Sequence, residues 1–194
     1  MDSTHWDDRY AEAELVWGAG PNAFLPPLVD GLSVGTALDV ACGEGRNSLW
    51  LAERGWTVTG IDFSPVAIEK AWLLARDVPI TYEVADVESY EPHQPFDLII
   101  VFYVHLIEAD ARSMLDMAVA ALAPGGTLLG VGHALRNLTD GVGGPQYPQI
   151  LWTEDLVAPS LGGLKIIELG ERTRPVDGST VDAIDLVVHA QRPA

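Results

Sequence analysis

The sequence predicts an α/β fold built on a largely parallel sheet, and three observations carry that prediction. Strand-like apolar runs alternate with helical stretches along most of the chain, and several of the runs are apolar at nearly every position. The first of them breaks into a glycine-containing loop just before a helical pattern. Unbroken apolar runs suit strands covered on both faces, since a strand open to water on one side would alternate. At 194 residues and 48% hydrophobic content the chain has enough apolar material for one buried core, so a single domain over 1–194 is expected.

Residues 1–35 precede the first strand. Trp6, Tyr10 and Trp17 come before Pro21-Asn22 and an apolar stretch at 24–32, a pattern that reads either as a helical lid or as a helix packed on the core. The core region is 36–194, with strand runs at 37–41, 56–61, 80–84, 96–104, 127–131, 164–169 and 183–189. A helix is expected at 46–54, stopped by Gly55, and a second begins with the N-cap pair Ser64-Pro65 and continues to about Asp77. Leu115, Ala118, Val119 and Leu122 share one face of a helix over 110–123, which Pro124-Gly125-Gly126 should end. Too few residues separate the third and fourth runs for a helix to be assigned there. Thr153, followed by Glu154 and Asp155, marks another helix start. The glycine- and proline-rich stretch 136–151 reads as a long ordered loop, and loops of that length in a compact domain are often functional.

Charge and cysteine content narrow the function. The formal net charge of −17, from 28 acidic and 11 basic residues, would repel phosphate backbones and anionic membranes, so neither nucleic acid nor membrane is an expected partner. Cys42, the sole cysteine, cannot form an intramolecular disulfide. The segment MDSTHWDDRY has neither the basic start nor the apolar core of a signal peptide, and no run approaches the roughly 20 apolar residues that span a bilayer. A cytoplasmic location is the expectation. No Cys/His cluster at zinc spacing and no HExxH motif occurs, so no metal site is expected.

The stretch ALDVACGEGRN, residues 37–47, carries the chemistry. Gly43 and Gly45 allow backbone angles that other residues avoid and let a ligand approach the main chain, while Asp39 lies near the strand end to meet polar ligand atoms. Ser48 stands where a G-x-G-x-x-G motif would have its third glycine. Asp62 ends the second strand run, where a carboxylate can accept hydrogen bonds from both hydroxyls of a ribose. Asp86 follows the third run and can accept from an exocyclic adenine amine, with Val87 beside the ring. A nicotinamide cofactor would share the first loop and Asp62, so these residues leave the cofactor open.

The segments VADVES, FDLIIVFYVHL and ALAPGGTLL follow in an order and spacing that resembles the class I S-adenosylmethionine-dependent methyltransferases, over about 37–192. The resemblance implies a Rossmann-like, seven-stranded, mostly parallel sheet ordered 3-2-1-4-5-7-6, with the last strand antiparallel and helices on both faces. It implies S-adenosyl-L-methionine as cofactor, with Asp39, Ala41, Gly43 and Gly45 at its methionine and ribose portion. Asp62 would take the ribose hydroxyls with Phe63 against the adenine, Asp86 the adenine amine with Val87 beside it, and Phe102 would form the floor. Asn47 replaces a glycine often found in the family's loop.

WDDRY, VWGAGPNAFL and ALDVACGEGRNSLWLAERGWTVTGIDFS are similar to the bacterial tellurite-resistance methyltransferase group and the related thiopurine methyltransferases, which act on soft chalcogen nucleophiles. That resemblance implies an N-terminal lid containing Trp6, Arg9 and Tyr10. Arg9 would pair with the methionine carboxylate, and the Tyr10 ring would face the sulfonium by cation–π attraction.

In such a reaction the protein has to hold a nucleophile in line with the carbon–sulfur bond and exclude water. The expected acceptor is a small molecule: a thiol, a thiopurine or a selenium or tellurium oxyanion. An ionised acceptor needs no strong base, whereas an unactivated hydroxyl or amine benefits from one. Tyr103 and His105, after the fourth strand run, and His133 and Arg136, after the fifth, are the candidates to face the acceptor, with His133 as proton acceptor or oxyanion partner. Tyr147 and Trp152 are candidate apolar walls. His5, His93 and His189 read as structural or surface residues, and Cys42 as a small packed side chain. Two other classes compete with this reading: a non-catalytic adenosylmethionine-binding or regulatory protein, and an NAD-dependent oxidoreductase.

Overall fold

The structure is a computed structural model that describes residues 3–16 and 18–194, with side chains from residue 6 onward. Trp17 lies outside the described residues, as does the side chain of His5. The chain divides into two compact units, Met1–Ile100 and Val101–Ala194.

The first unit contains α1 (Ser3–Ala11), α2 (Leu25–Val29), β1 (Thr36–Val40), α3 (Arg46–Ala52), β2 (Thr57–Asp62), α4 (Pro65–Ala75), β3 (Thr81–Val84) and most of β4 (Phe96–Phe102). β1 and β2 pair in parallel from Thr36↔Thr57 to Val40↔Ile61, and β2 pairs in parallel with β3. Ala37, Leu38, Val40 and Ile61 are fully buried, and since Ala37 and Leu38 point to opposite faces, β1 is covered on both. Ser64 caps α4 as expected, its hydroxyl accepting from the Ala67 N–H at 3.0 Å with Pro65 in the first turn. Residues 85–95, between β3 and β4, contain no helix.

The second unit contains α5 (Glu108–Ala120), β5 (Leu122–His133), α6 (Asn137–Asp140), α7 (Glu154–Val157), β6 (Lys165–Arg174) and β7 (Ala183–Gln191). Thr153 caps α7 through its hydroxyl, which accepts from the Leu156 N–H at 3.1 Å. β7 runs antiparallel to both β5 and β6.

Several element boundaries differ from the sequence expectation, most clearly around β5 and β6. Helix α5 stops at Ala120 and β5 starts at Leu122, so Pro124-Gly125-Gly126 lies inside the strand instead of before it. The chain's last residues hold it there: Arg192 donates its N–H to the Gly126 carbonyl at 2.8 Å, and the Gln191 amide donates to the Gly125 carbonyl at 3.1 Å. β6 continues past 169 to Arg174 because β7 pairs with it as far as Arg174↔Ala183. The 136–151 stretch is partly regular, with α6 and a 3-10 turn at Pro148–Ile150. Buried Asn137 anchors it, accepting from the Ile184 N–H at 2.7 Å and donating to the Gly143 carbonyl at 2.9 Å.

The seven strands are ordered β3-β2-β1-β4-β5-β7-β6, the Rossmann-like order that the resemblance implied. Among the described residues no helix is long and apolar enough to cross a membrane.

Candidate active site

The loop after β1 is shaped by three residues in the left-handed region, Ala41 (φ 53°), Gly43 (φ 56°) and Gly45 (φ 78°). That conformation is easy for glycine and costly for Ala41. Asp62 braces the loop from the end of β2: its Oδ2 accepts from the Gly43 N–H at 2.8 Å and its Oδ1 from the Ser64 N–H at 2.9 Å. Asp39 is 2% exposed, and its Oδ2 accepts from the Ser48 hydroxyl at 2.6 Å. Ser48 therefore clasps the acidic residue of β1 from the position where a third glycine was sought. Asn47 is buried, and its side-chain oxygen accepts from the Asn22 N–H at 2.8 Å, which ties the chain before α2 to the loop.

Burial makes the charged form of both acidic groups costly. Burial pushes the Asp39 carboxyl up to about 7, opposed by its Ser48 hydrogen bond and assisted by the nearby charge of Asp62. Burial likewise raises the Asp62 carboxyl to about 6, although two main-chain N–H bonds favour its charged form. S-adenosylmethionine carries an ammonium and a sulfonium, which would offset that cost, and each Asp62 oxygen keeps lone-pair capacity for a ribose hydroxyl. The residues fit the cofactor. Phe63 and Val87 are half-buried; Asp86 is exposed, with Oδ1 accepting from the Glu88 N–H at 3.0 Å. Cys42 is buried and its thiol is pushed up, first by burial and then by Asp39 and Asp62, so it is a packed side chain and not a thiolate.

The N-terminal segment is fastened over this loop. Tyr10 is 5% exposed and its hydroxyl lies beside Gly43, where a Cβ would approach it to 2.9 Å. The Trp6 and Tyr10 rings are 5.7 Å apart, and the Arg9 guanidinium lies 5.2 Å from the Trp6 ring centroid. The Ser64 hydroxyl donates to Asp7, and the Lys70 ammonium donates to the carbonyls of Tyr10 and Ala13 and to Glu44 Oε1, the last at 3.2 Å. Glu44 also accepts from the Val16 N–H at 2.9 Å. Sequence reasoning missed Lys70 and Glu44, since single charges on a helix and in a loop give no signal of their own.

The second unit holds Phe102, Tyr103, His105, His133 and Arg136. Phe102 is buried at the end of β4, and the next residue, Tyr103, has a φ of 60°. Its hydroxyl donates to Asp185 Oδ2 at 3.0 Å, and Arg174 Nε donates to the same oxygen at 3.0 Å. His133 Nδ1 lies 3.0 Å from Asp185 Oδ1, short of ideal hydrogen-bond alignment. His105 Nε2 accepts from the His133 main-chain N–H at 3.1 Å, and the two imidazoles stack with centroids 5.4 Å apart. Burial, followed by the nearby His133, pushes the His105 imidazole down to about 4, so it is neutral at ordinary pH. Burial alone would raise the Asp185 carboxyl, but His133, Arg174 and Tyr103 outweigh it and hold the group below the usual carboxylate range.

Arg136 stands apart from this cluster. It is exposed and bound to Glu171 at 2.7 Å and Asp140 at 3.3 Å. Trp152 is 1% exposed: its indole N–H donates to the Val104 carbonyl at 3.0 Å and its ring packs on Gly130 and Gly132, which makes it a core wedge instead of an open wall. Tyr147 is exposed. Asp185 and Arg174 were missed, yet a lone acid inside the apolar run AIDLVVHA is a readable sign, because a fully buried carboxylate needs partners.

Residues 37–126 match a family described as a methyltransferase domain. The chain is 37% identical over 97 residues to the Ubiquinone biosynthesis O-methyltransferase of Paramagnetospirillum magneticum, covering 49% of this chain and 39% of that protein. It is 29% identical over 180 residues to Thiocyanate methyltransferase 1 of Brassica oleracea, covering 86% and 76%. The chain thus spans well under half of the first relative and about three quarters of the second. Its fold superposes on the N-methyltransferase NodS of Bradyrhizobium japonicum WM9, solved with S-adenosyl-L-homocysteine, at a TM-score of 0.80 over 100% of both chains and 21% identity.

Residues 37–126 are thus similar to a methyltransferase domain, and the sheet has the Rossmann-like order of methyltransferases of the S-adenosylmethionine-dependent class. S-adenosyl-L-methionine is the cofactor of that class.

Proposed function

We propose that the protein, as one domain over 1–194 with residues 1–35 as its lid, transfers a methyl group from S-adenosyl-L-methionine to a small-molecule acceptor. One observation carries this reading. The left-handed loop Ala41–Gly43–Gly45 is braced by Asp62 within the segment that matches a methyltransferase domain, and the buried carboxylates beside it call for a cationic ligand. When bound, the cofactor supplies a methyl carbon made electrophilic by the sulfonium.

In this reading Asp39, Ala41, Gly43 and Gly45 hold the methionine and ribose end. Asp62 and Phe63 bind ribose and adenine, Asp86 and Val87 the adenine edge, and Phe102 the floor. Trp6, Arg9 and Tyr10 shield the reaction from water. Tyr103, His105 and His133 face the acceptor, whereas the ion pairs of Arg136 give it a structural role in the 136–151 loop. The named relatives act in ubiquinone biosynthesis and on thiocyanate, and the motifs WDDRY and VWGAGPNAFL favour the tellurite-resistance and thiopurine group. A thiol, a thiopurine or a chalcogen oxyanion is accordingly the acceptor class. The test is release of S-adenosylhomocysteine on incubation with S-adenosylmethionine and, separately, 2-mercaptoethanol, 6-mercaptopurine, selenite and tellurite. Acceptor-dependent release supports the reading. Tight cofactor binding with no release would favour a binding or regulatory protein.

A further inference from the structure

We propose that Asp185 and Arg174 are positioning residues that hold His133 as proton acceptor for a methyl acceptor bearing an S–H or O–H group. This rests on the methyl-transfer function proposed above and narrows its acceptor class to protic nucleophiles.

His133 and Asp185 are register partners at the ends of β5 and β7, so the ladder itself brings imidazole and carboxylate together. Division of labour between the two carboxylate oxygens is clear. Oδ2 takes the Tyr103 hydroxyl and Arg174 Nε, both at 3.0 Å, while Oδ1 faces His133 Nδ1 at 3.0 Å. Asp185 is fully buried, and among the described residues Oδ1 and Nδ1 have no other hydrogen-bond partner. Two lone pairs pressed together at that distance away from water would repel, so the imidazole proton belongs on Nδ1. In the neutral ring Nε2 then carries the lone pair and can accept a proton.

The other groups around His133 cannot take that role. His105 stacks on it, but its Nε2 is committed to the His133 main-chain N–H. Tyr103, whose ring is 4.9 Å away, has its phenol pushed up by burial and stays a donor. Arg174 offers only N–H groups. Gly144, at φ 74°, brings its backbone so close that a Cβ there would come within 2.9 Å of Nε2, which keeps the ring from swinging out. An acceptor that is already an anion gains little from a lone-pair nitrogen, whereas a protic one must lose its proton to attack.

In the transfer step the acceptor's S–H or O–H proton passes to Nε2, and the lone pair freed on sulfur or oxygen forms the bond to the methyl carbon. The bond from that carbon to the sulfonium breaks, its electron pair staying on sulfur as the neutral thioether. The imidazolium afterwards releases its proton to water.

Nitrogen-15 NMR of the full-length, histidine-labelled protein tests the first half: His133 should show the Nδ1–H tautomer, and Asp185→Asn should erase the preference. Turnover with 2-mercaptoethanol and catechol as protic probes and tellurite as an ionised one tests the second. Asp185→Asn should lower kcat for the protic probes by about 10²-fold, leaving KM for S-adenosylmethionine and turnover of tellurite within about twofold. A wild-type Nε2–H tautomer, or equal losses with protic and ionised probes, would overturn the proposal. Should Asp185→Asn fail to fold, the wild-type tautomer decides. If no probe turns over while cofactor binds, the function proposed above is contradicted for these acceptors, and the tautomer still judges the His133 assignment.

Discussion

His133 and Asp185 face one another across the antiparallel β5–β7 ladder, with Nδ1 3.0 Å from Oδ1, so that the strand register places a buried carboxylate behind an imidazole. The 136–151 loop closes on the same ring. Gly144→Ala would need a left-handed alanine whose Cβ lies 2.7 Å from His133 Cδ2, and one of the two must move. The variant should lose about 1 kcal/mol of stability and displace the His133 ring resonances, with cofactor affinity unchanged. Thermal unfolding and NMR check this, and an unmoved His133 signal would contradict the packing described.

Asp62→Asn should fail in two ways. Both carboxylate oxygens accept main-chain N–H groups, and an amide offers only one acceptor, so either Gly43 or Ser64 would face a second donor. A stability loss of about 1–3 kcal/mol is expected, together with weaker cofactor binding through loss of a charge-assisted acceptor. Calorimetric titration of the folded variant measures the second effect. Retained affinity would remove Asp62 from the cofactor site.

Asp39 makes stability depend on pH with a definite sign. Its folded value of about 7 lies above the ordinary 3.8, so the fold favours the neutral form. The contribution is fully present below about pH 4 and is lost as pH rises through 7. Asp39→Asn, neutral throughout, should therefore melt higher than the wild type at pH 8 and near it at pH 4. Each pH unit between the ordinary and the folded value contributes at most roughly 1.4 kcal/mol to that difference. Melting curves at the two pH values decide it, and an equal effect at both would show that charge is not the cause.

His105 works in the opposite direction. Its folded value of about 4 lies below the ordinary 6.5, so the stability tied to its neutral form is present above 6.5 and lost as pH falls toward 4. His105→Gln should flatten the acid side of the melting-temperature profile between those limits. An unchanged acid limb would mean that other groups set it.

Lys70 latches the N-terminal segment through the Tyr10 and Ala13 carbonyls and Glu44. Lys70→Met removes the donor these acceptors share and should speed limited proteolysis within 11–16, with cofactor slowing the cut again. Cleavage at the wild-type rate would mean that the latch does not hold the segment.

What the sequence reveals and what it hides follow from the range of each interaction. Ser64 and Thr153 cap their helices as read, because capping is settled within three residues. Strand runs such as 37–41 and 56–61 fall close to β1 and β2, since buried Ala37, Leu38, Val40, Trp56, Val58 and Ile61 give them their apolar character. The start of β5 was misplaced because Pro124-Gly125-Gly126 is recruited by residues 191–193, a pairing that no local pattern encodes. The strand-end positions of Asp39 and Asp62 were legible, and there Asp62 accepts from the Gly43 N–H and Asp39 from the Ser48 hydroxyl. The Asn22–Asn47, Ser48–Asp39 and Tyr103–Asp185 bonds were not, because each depends on which chain segments the fold brings together.

The most direct measurement is calorimetric titration of the purified chain with S-adenosylmethionine, S-adenosylhomocysteine and NAD, repeated with Asp62→Ala. Micromolar binding of the first two, none of NAD, and a loss of affinity on substitution is the expected result. Binding of NAD alone, or no binding of either adenosyl ligand by the folded protein, would contradict the assignment of the β1 loop to S-adenosylmethionine.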